Sequence, residues 1–283
     1  MSETEDAHHP RAPWALRQVP PFPSVAQRIM ALAGQEDANP QEVGQLVTMD
    51  PSFSAELLRF ANSALFGPQR PVGGLAHAIV MLGMDRVKVM AALVVVNRIV
   101  RTSLRIEALR KVWMHSLATA LIAEEAAGRM SVGRDDAYTA GLLHNLGALG
   151  MMSAYPDEYS RMLEVSNDFG FDILLTERAL FEIDHCAAGA YLAQDWSFPD
   201  ELAAAIATHH DDIGPGQNRL ESLLGISWRL ADALGFAAFS PAREWTYEEL
   251  MAYVPGTTRR TWLGRDPEEA HAELTLRLTD ATA

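Results

Sequence analysis

The sequence predicts an all-α fold arranged as a two-lobed helical bundle. Apolar side chains recur every three or four residues through most of the chain, as in LLRFANSALF at 57–66, and this spacing places them on one face of a helix. Residues that cap helices stand ahead of many of these runs. No segment alternates clearly between apolar and polar residues as a half-buried strand does, although the short run at 94–96 is ambiguous.

Three capped helices are predicted in the first part of the chain. Residues 24–27 (SVAQ) match a capping box, in which the serine oxygen accepts a free backbone N–H and the glutamine bonds back. Asn39 precedes Pro40 at the first helical position, where the missing N–H of proline costs nothing. A third helix begins at residues 50–51 (DP) and ends before Gly67.

The same periodicity predicts helices through to the C-terminal region. They span about 74–82, 85–100, 105–128, 135–152, 156–169, 172–182, 185–195, 199–210 and 218–235. Capping patterns at 246–249 (TYEE) and 266–269 (DPEE) begin two more.

Breaks in this pattern divide the chain into regions. Residues 1–18 are predicted to be a disordered tail, because they are polar and charged. The main domain is expected at 19–238, with a first lobe at 19–104 and a second lobe at 105–238. Residues 239–283 are expected to form a helical C-terminal appendix, which either packs back on the bundle or presents a face to a partner.

Composition and charge exclude several classes of protein. The 283 residues carry a net charge of −14, which disfavours phosphate backbones, so nucleic acid is not expected as a partner. A basic segment at 86–110 is the one local exception, and a solvated helix face explains it equally well. The single cysteine, Cys186, excludes an internal disulfide and fits a reducing compartment. The longest apolar run, 89–96, is too short to span a bilayer, so we expect no membrane segment and a cytoplasmic protein.

Polar residues of the second lobe form the candidate site. Five histidines and one acid in otherwise apolar surroundings are placed on different predicted helices: His115, His144, His185, His209, His210 and Asp232. Helical packing can bring such positions to one point, as bundle metal sites do. Imidazole suits Fe, Mn or Zn, and a carboxylate completes a mixed nitrogen and oxygen set. Taken singly, each histidine is also compatible with an ordinary core or surface role, and the spacings are too long for a local zinc motif.

The order of these residues resembles the HD phosphohydrolase superfamily, whose pattern is His, then His-Asp, then further His and His-His, then a final Asp. The first lobe resembles the HDOD (HD-related output) domains of bacterial signalling proteins in the phrases VPPFPSVAQRI, MDPSFSAELLRFANSALFG and HAIVMLGMDRVKVMAALVVV. The second lobe adds WMHSLATALIAEE, DDAYTAGLLHNLGALGM and IDHCAAGAYLAQDWSFPDELAAAIATHH. The resemblance covers about residues 18–236 and implies that the second lobe is HD-like.

Two positions depart from that pattern. Active relatives carry an aspartate, which binds or bridges metals, where this chain has Asn145. Relatives that act on signalling nucleotides often carry a lysine at the position of Ala148, where a positive charge helps to hold a phosphate. Both departures affect metal-assisted phosphodiester chemistry. The resemblance therefore implies a noncatalytic signalling or regulatory module with a degenerate metal site.

The retained histidines leave two interpretations open. One is a structural metal ion, with Fe, Mn, Zn and Mg as candidates, held by His115, His144 and Asp232 with the other site residues in support: Asn145, His185, His209 and His210. The other is a metal-free polar network with Asn145 as a four-way hydrogen-bonding hub. As a further alternative, the adjacent pair His209 and His210 is predicted to line a nucleotide or anion pocket.

Two functions follow from these interpretations. The first is a binding module whose partners are signalling proteins supplied in trans, since the chain has no recognisable receiver, kinase or cyclase segment. A nucleotide is the candidate ligand. The alternative is a metal-dependent phosphohydrolase of nucleotides or cyclic dinucleotides that tolerates Asn145.

Overall fold

The computed structural model describes most of the second lobe and the C-terminal appendix, and parts of the first lobe. The described ranges are 12–19, 24–33, 39–49, 107–196, 198–214, 219–240, 243–256 and 261–282, with short pieces between 54 and 91. The fold is all-α, as predicted, and the described ranges contain no strand. None of the helices in those ranges has both the length and the apolar character needed to cross a membrane.

The helices follow one another with short connections. Among the described residues, two helices of the first lobe are complete: α1 (Ser24–Ala33) and α2 (Pro40–Thr48). Eight lie in the second lobe: α3 (Glu107–Met130), α4 (Arg134–Leu143), α5 (Leu146–Ala154), α6 (Pro156–Phe169), α7 (Ile173–Phe181), α8 (His185–Asp195), α9 (Asp200–Thr208) and α10 (Arg219–Ala231). Two lie in the appendix: α11 (Tyr247–Met251) and α12 (Pro267–Thr282).

The first lobe begins as its caps predict. The side chain of Asn39 accepts a hydrogen bond of 2.9 Å from the backbone N–H of Gln41, and Pro40 opens α2. The apolar faces of α1 and α2 pack together through Ile29, Val43 and other buried residues. The helices predicted at 50–66, 74–82 and 85–100 lie mostly outside the described residues, as does the basic part of the segment 86–110.

Small residues let the helices of the second lobe approach closely. A Cβ atom on Gly141 would lie 2.5 Å from the Cα atom of Ala120, so α4 packs backbone to backbone against α3. A Cβ atom on Gly147 would lie 2.1 Å from the carbonyl oxygen of His185, so α5 packs equally closely against α8. Glycine is required at both positions, because any larger residue would push the helices apart.

The single helix predicted at 135–152 is wrong, because the chain forms two helices there. α4 ends at Leu143 and α5 begins at Leu146. The ring of His144 explains the break, since its Nδ1 atom lies 2.6 Å from the carbonyl oxygen of Gly141 and takes an acceptor that a continuing helix would use. The break places both His144 and Asn145 at the junction of two helices.

The appendix packs back on the bundle. Thr246 and Glu249 form the predicted capping box at the start of α11. Buried residues of the appendix, among them Leu250, Leu263 and Leu274, share one core with α3 and α10. The helix predicted to end at 235 ends at Ala231 and continues as a π-helical turn over Asp232–Phe236. That turn carries the last predicted site residue.

Candidate functional site

The five predicted histidines meet in one buried cluster. The histidines lie at or near the ends of helices, except for one within a helix. His115 lies within α3, His144 follows α4, His185 begins α8, and His209 and His210 follow α9. Ring centroids lie 5.2 Å apart for His115 and His144, and 4.9 Å apart for His144 and His209. His185 lies 5.2 Å from His209 and 4.9 Å from His210. His115, His144, His185 and His209 are at most 3% exposed.

Four of these rings share one hydrogen-bonding pattern. The Nδ1 atoms of His115, His144 and His209 lie 2.9, 2.6 and 2.7 Å from backbone carbonyl oxygens, and Nδ1 of His185 lies 2.8 Å from a carboxylate oxygen. Oxygen acceptors at these distances require a proton on Nδ1. In a neutral ring the Nε2 atom then carries a lone pair, which is the tautomer that binds metal ions.

A buried carboxylate that the sequence did not indicate sets the orientation of His185. Glu177 on α7 is fully buried and accepts hydrogen bonds from the backbone N–H of His185, from its Nδ1 atom and from the Tyr159 hydroxyl. Nε2 of His185 points to Nε2 of His210 at 3.1 Å. Glu177 stands eight residues before His185 in an ordinary helical segment, so its spacing carried no signal.

Several polar atoms of the cluster have no hydrogen-bond partner within the part of the chain that the structure describes. They are Oδ1 of Asn145, Nε2 of His209 and Oδ1 of Asp232, all buried. Asn145 is 1% exposed, and its one hydrogen bond among the described residues is a long one of 3.4 Å from Nδ2 to the Ser116 hydroxyl. Only one of the four hydrogen bonds that a hub would make is thus present among the described residues, and the hub interpretation stays a prediction.

Asp232 occupies the mouth of the cluster. Its Oδ1 atom lies 3.2 Å from Nδ1 of His115, but the proton on that nitrogen is directed to the carbonyl oxygen of Phe236 at 2.9 Å. Oδ1 of Asp232 is thus next to the histidines without a hydrogen-bond donor among the described residues. Buried acceptors and lone pairs that converge without donors are the arrangement that a bound cation satisfies.

The histidine electrostatics divide the cluster in two. Burial, with the neighbouring rings adding to it, holds the pKa values of His144, His209 and His210 well below their usual range, so these rings are neutral. Burial also disfavours the charged form of His185, but the adjacent Glu177 carboxylate and the Cys186 sulfur together outweigh burial and raise the pKa of His185 well above its usual value.

A second group could also hold a metal ion. His185, Cys186, His209 and His210 each offer one ligand atom, and these atoms lie within 4.8 Å of one another. Sγ of Cys186 lies 3.7 Å from Nδ1 of His209. Cys186 is not among the site residues predicted from the sequence, although its position directly after His185 could have indicated a further ligand.

Residues of α10 fix the His209–His210 turn. The guanidinium of Arg229 donates to the carbonyl oxygens of His210 and Asp211 at 3.2 and 2.8 Å, and the indole of Trp228 donates to that of His209. Burial lowers the pKa of Arg229 to about 10, so it remains charged at neutral pH. A positive charge therefore lies beside the histidines, at a place that the sequence pattern did not mark.

A cavity of about 130 Å³ opens from the cluster to the surface. Predicted site residues form its inner wall: His115, His144, Asn145, His210 and Asp232. Arg229, Arg243 and Trp245 line its outer part. The structure thus brings all seven predicted residues together, with His185 and His209 directly behind the wall of the cavity.

Comparisons with solved structures agree with this fold. An HDOD domain protein of unknown function from Geobacter sulfurreducens superposes with a TM-score of 0.69 at 24% identity, over 93% of this chain and 91% of that one. A candidate phosphohydrolase from Shewanella amazonensis SB2B gives 0.66 at 24% identity, over 94% and 95%. A candidate signal transduction protein from Marinobacter aquaeolei VT8 gives 0.66 at 24% identity, over 93% of this chain and 58% of that one.

Sequence comparisons point to the same family. An uncharacterized protein of Treponema pallidum (strain Nichols) is 24% identical over 196 residues, which is 68% of this chain and 38% of that protein. This chain therefore matches less than half the length of that relative. The sequence profile of the HDOD domain matches residues 19–212, well over half of the 283 residues. The chain belongs to the HDOD domain family.

Proposed function

We propose that this protein is a noncatalytic regulatory module of signal transduction, which binds a metal ion in its histidine cluster and does not hydrolyse phosphate esters. The observation that carries the proposal is Asn145. Its neutral amide oxygen stands in the wall of the cavity, beside His144, where a bridging carboxylate would be needed to hold two cations. An amide oxygen contributes one weak, uncharged ligand and cannot balance a second ion.

The surroundings of Ala148 support the same proposal. Ala148 is fully buried in the apolar core, so this position supplies no charge to the cavity. Arg229 and Arg243 line the cavity, but the guanidinium of Arg229 is already bonded to the carbonyl oxygens of residues 210, 211 and 225, and that of Arg243 stacks 3.7 Å from the Trp245 ring centroid. The charge needed to neutralise a phosphoryl group in a transition state is therefore poorly provided.

The donor set favours a transition metal at this site. His115, His144 and Asp232 would hold the ion, with Oδ1 of Asn145 as a further weak ligand. An imidazole-rich set fits Fe, Mn or Zn, whereas Mg prefers oxygen ligands and fits poorly. A bound ion would supply Lewis acidity to a coordinated ligand oxygen. A nucleotide is the candidate ligand for the cavity, and signalling proteins supplied in trans are the candidate partners.

A specific observation also favours the alternative function, a metal-dependent phosphohydrolase of nucleotides or cyclic dinucleotides. His115, His144 and His209 each direct Nδ1 to a backbone carbonyl oxygen, which leaves Nε2 of a neutral ring able to bind a metal ion. A chain that used the site only for packing would have no need of that arrangement. The two functions make opposite predictions for turnover.

Metal analysis and hydrolysis assays on one preparation separate the two functions. We expect bound metal, measured by mass spectrometry, to be lost in His144→Ala and retained in Glu201→Ala, which changes an exposed residue near the start of α9. With Mn, Fe or Mg added, hydrolysis of phosphomonoesters and cyclic dinucleotides should stay at background. Turnover above background that disappears in His144→Ala but not in Glu201→Ala would establish the hydrolase instead.

A further inference from the structure

Exposed apolar side chains concentrate on the outside of the α6–α7 hairpin. Nine large apolar side chains are exposed among the described residues, and five of them lie between positions 165 and 180. They are Val165, Phe169, Phe171, Leu175 and Leu180, exposed by 41 to 69%. The rings of Phe169 and Phe171 stack with centroids 5.6 Å apart, and exposed apolar side chains gathered on one hairpin in this way indicate an interaction surface.

A groove lies beside this patch. It has a volume of about 660 Å³, and its apolar lining includes Trp14, Tyr155, Val165, Leu180 and Phe181. The aromatic members contact one another, since the Trp14 ring lies 5.4 Å from Tyr155 and 5.9 Å from Phe181. The Tyr155 hydroxyl also donates to the carbonyl oxygen of Trp14 at 3.2 Å. The groove is therefore preformed, which reduces the entropy cost of filling it.

The charge around the groove selects the kind of partner. Residues 156–182 contain seven acids and two arginines. One of these acids, Glu177, is buried. Asp157, Glu158 and Arg161 line the groove itself, and Arg178 is already paired with Asp184. A second copy of this chain would set an acidic face against an acidic face, which costs free energy. A basic partner would instead gain from the same field.

We propose that this surface, the groove together with the apolar side chains of α6 and α7, binds an amphipathic helix with a basic polar face, carried by a partner protein. Apolar residues spaced by three and four positions would enter the groove, and lysines or arginines at its edges would meet the acids. α6 has 14 residues, or about 21 Å of axis, which matches a partner helix of about four turns.

The groove and the histidine cluster share one helix, so a partner in the groove would be linked to the state of the cluster. α7 forms a wall of both: Ile173 lines the histidine cavity and Glu177 bonds His185, whereas Thr176 and Leu180 line the groove. A partner bound in the groove would lie one helix away from the cluster. This role rests on the proposed function, in which the module acts through a partner.

A synthetic peptide tests the surface directly. The probe is a fluorescein-labelled peptide of ~15 residues, with leucine and lysine in helical amphipathic order, and the reference is the same composition in scrambled order. We expect the ordered peptide to bind the full chain at least about tenfold more tightly than the scrambled one. Leu180→Asp should remove that preference, whereas Leu276→Asp, an equally exposed leucine on α12, should keep it.

Three results would overturn the proposal. The first is equal binding of the ordered and scrambled peptides, and the second is an equal loss of the preference for the ordered peptide in Leu276→Asp and Leu180→Asp. The third is a dimer in sedimentation experiments that Phe169→Asp dissociates, because that result would assign the surface to a second copy of the chain. Circular dichroism confirms that each variant is folded. Hydrolysis is measured separately, so turnover by the chain would refute the noncatalytic function and leave the peptide result standing.

Discussion

The substitution Gly147→Ala tests the packing that positions the cluster. The added Cβ atom would lie 2.1 Å from the carbonyl oxygen of His185, 2.5 Å from the backbone nitrogen of Gly189 and 3.0 Å from the Cβ atom of Ala188. The first distance is more than 1 Å shorter than the ordinary contact range, which begins at 3.4 Å. Since the nearest atoms are backbone, α5 and α8 must separate.

The size of the effect follows from two opposing terms. Overpacking of this kind costs about 1–3 kcal/mol, with the upper end appropriate here because no flexible side chain can yield. Alanine has a better helix propensity than glycine, and this difference stabilises the helix by at most about 1 kcal/mol. We expect a net loss of about 2 kcal/mol, which corresponds to a fall in Tm of about 4–8 °C. The shift also moves His185 away from His210, so metal binding should weaken.

Gly128→Ala provides a matched control. Gly128 lies near the end of α3, is exposed, and has no atom within 4 Å of an added Cβ. The same substitution should therefore stabilise the protein there, by about 0.5–1 kcal/mol. Thermal unfolding followed by circular dichroism measures both variants. Shifts of Tm in the same direction, or an unchanged Tm in Gly147→Ala, would refute the close approach of α5 and α8.

Further predictions concern the ionisable groups of the cluster. His144, His209 and His210 have lowered pKa values in the folded protein, so the unfolded chain binds more protons as the pH falls through ~6.5. The raised pKa of His185 acts in the opposite direction. The free energy of unfolding of the metal-free protein should therefore fall by about 3 kcal/mol between pH 7.5 and 5.5. Urea unfolding across that range in EDTA measures the loss, and a flat profile would contradict it. Glu177→Gln should cost about 1.5–3 kcal/mol because it removes a charge-assisted hydrogen bond to a buried ring. The exposed Glu201→Gln should change the same unfolding free energy by less than about 0.5 kcal/mol, and equal losses would count against this role for Glu177.

The helical fold was largely predictable because its signals are local. Caps such as Asn39 and Thr246 use residues next to the helices they start, and periodic apolar spacing needs only one helix at a time. The error at 135–152 has a local cause that the pattern hides, since the ring of His144 competes for a backbone acceptor three residues earlier. Apolar periodicity continues through the break and gives no sign of it.

The candidate site was predictable only in part, because its supporting contacts are distant in sequence. The histidines and Asp232 could be selected as polar residues in apolar helices, with the family resemblance supplying their order. Arg229 and Ser116 contact the cluster across separate helices. Their residue types are ordinary in a helix, so only the assembled bundle identifies them.

The metal affinity and turnover of Asn145→Asp, measured beside the wild type, test the central claim most directly. A carboxylate in place of the unpartnered Oδ1 atom adds a charged ligand beside His144, so Mn²⁺ should bind more tightly by isothermal titration calorimetry. Hydrolysis should remain at background in both proteins, because Ala148 still supplies no positive charge. If the metal-loaded wild type hydrolyses cyclic dinucleotides or phosphomonoesters, and His144→Ala abolishes this activity, the noncatalytic account is contradicted.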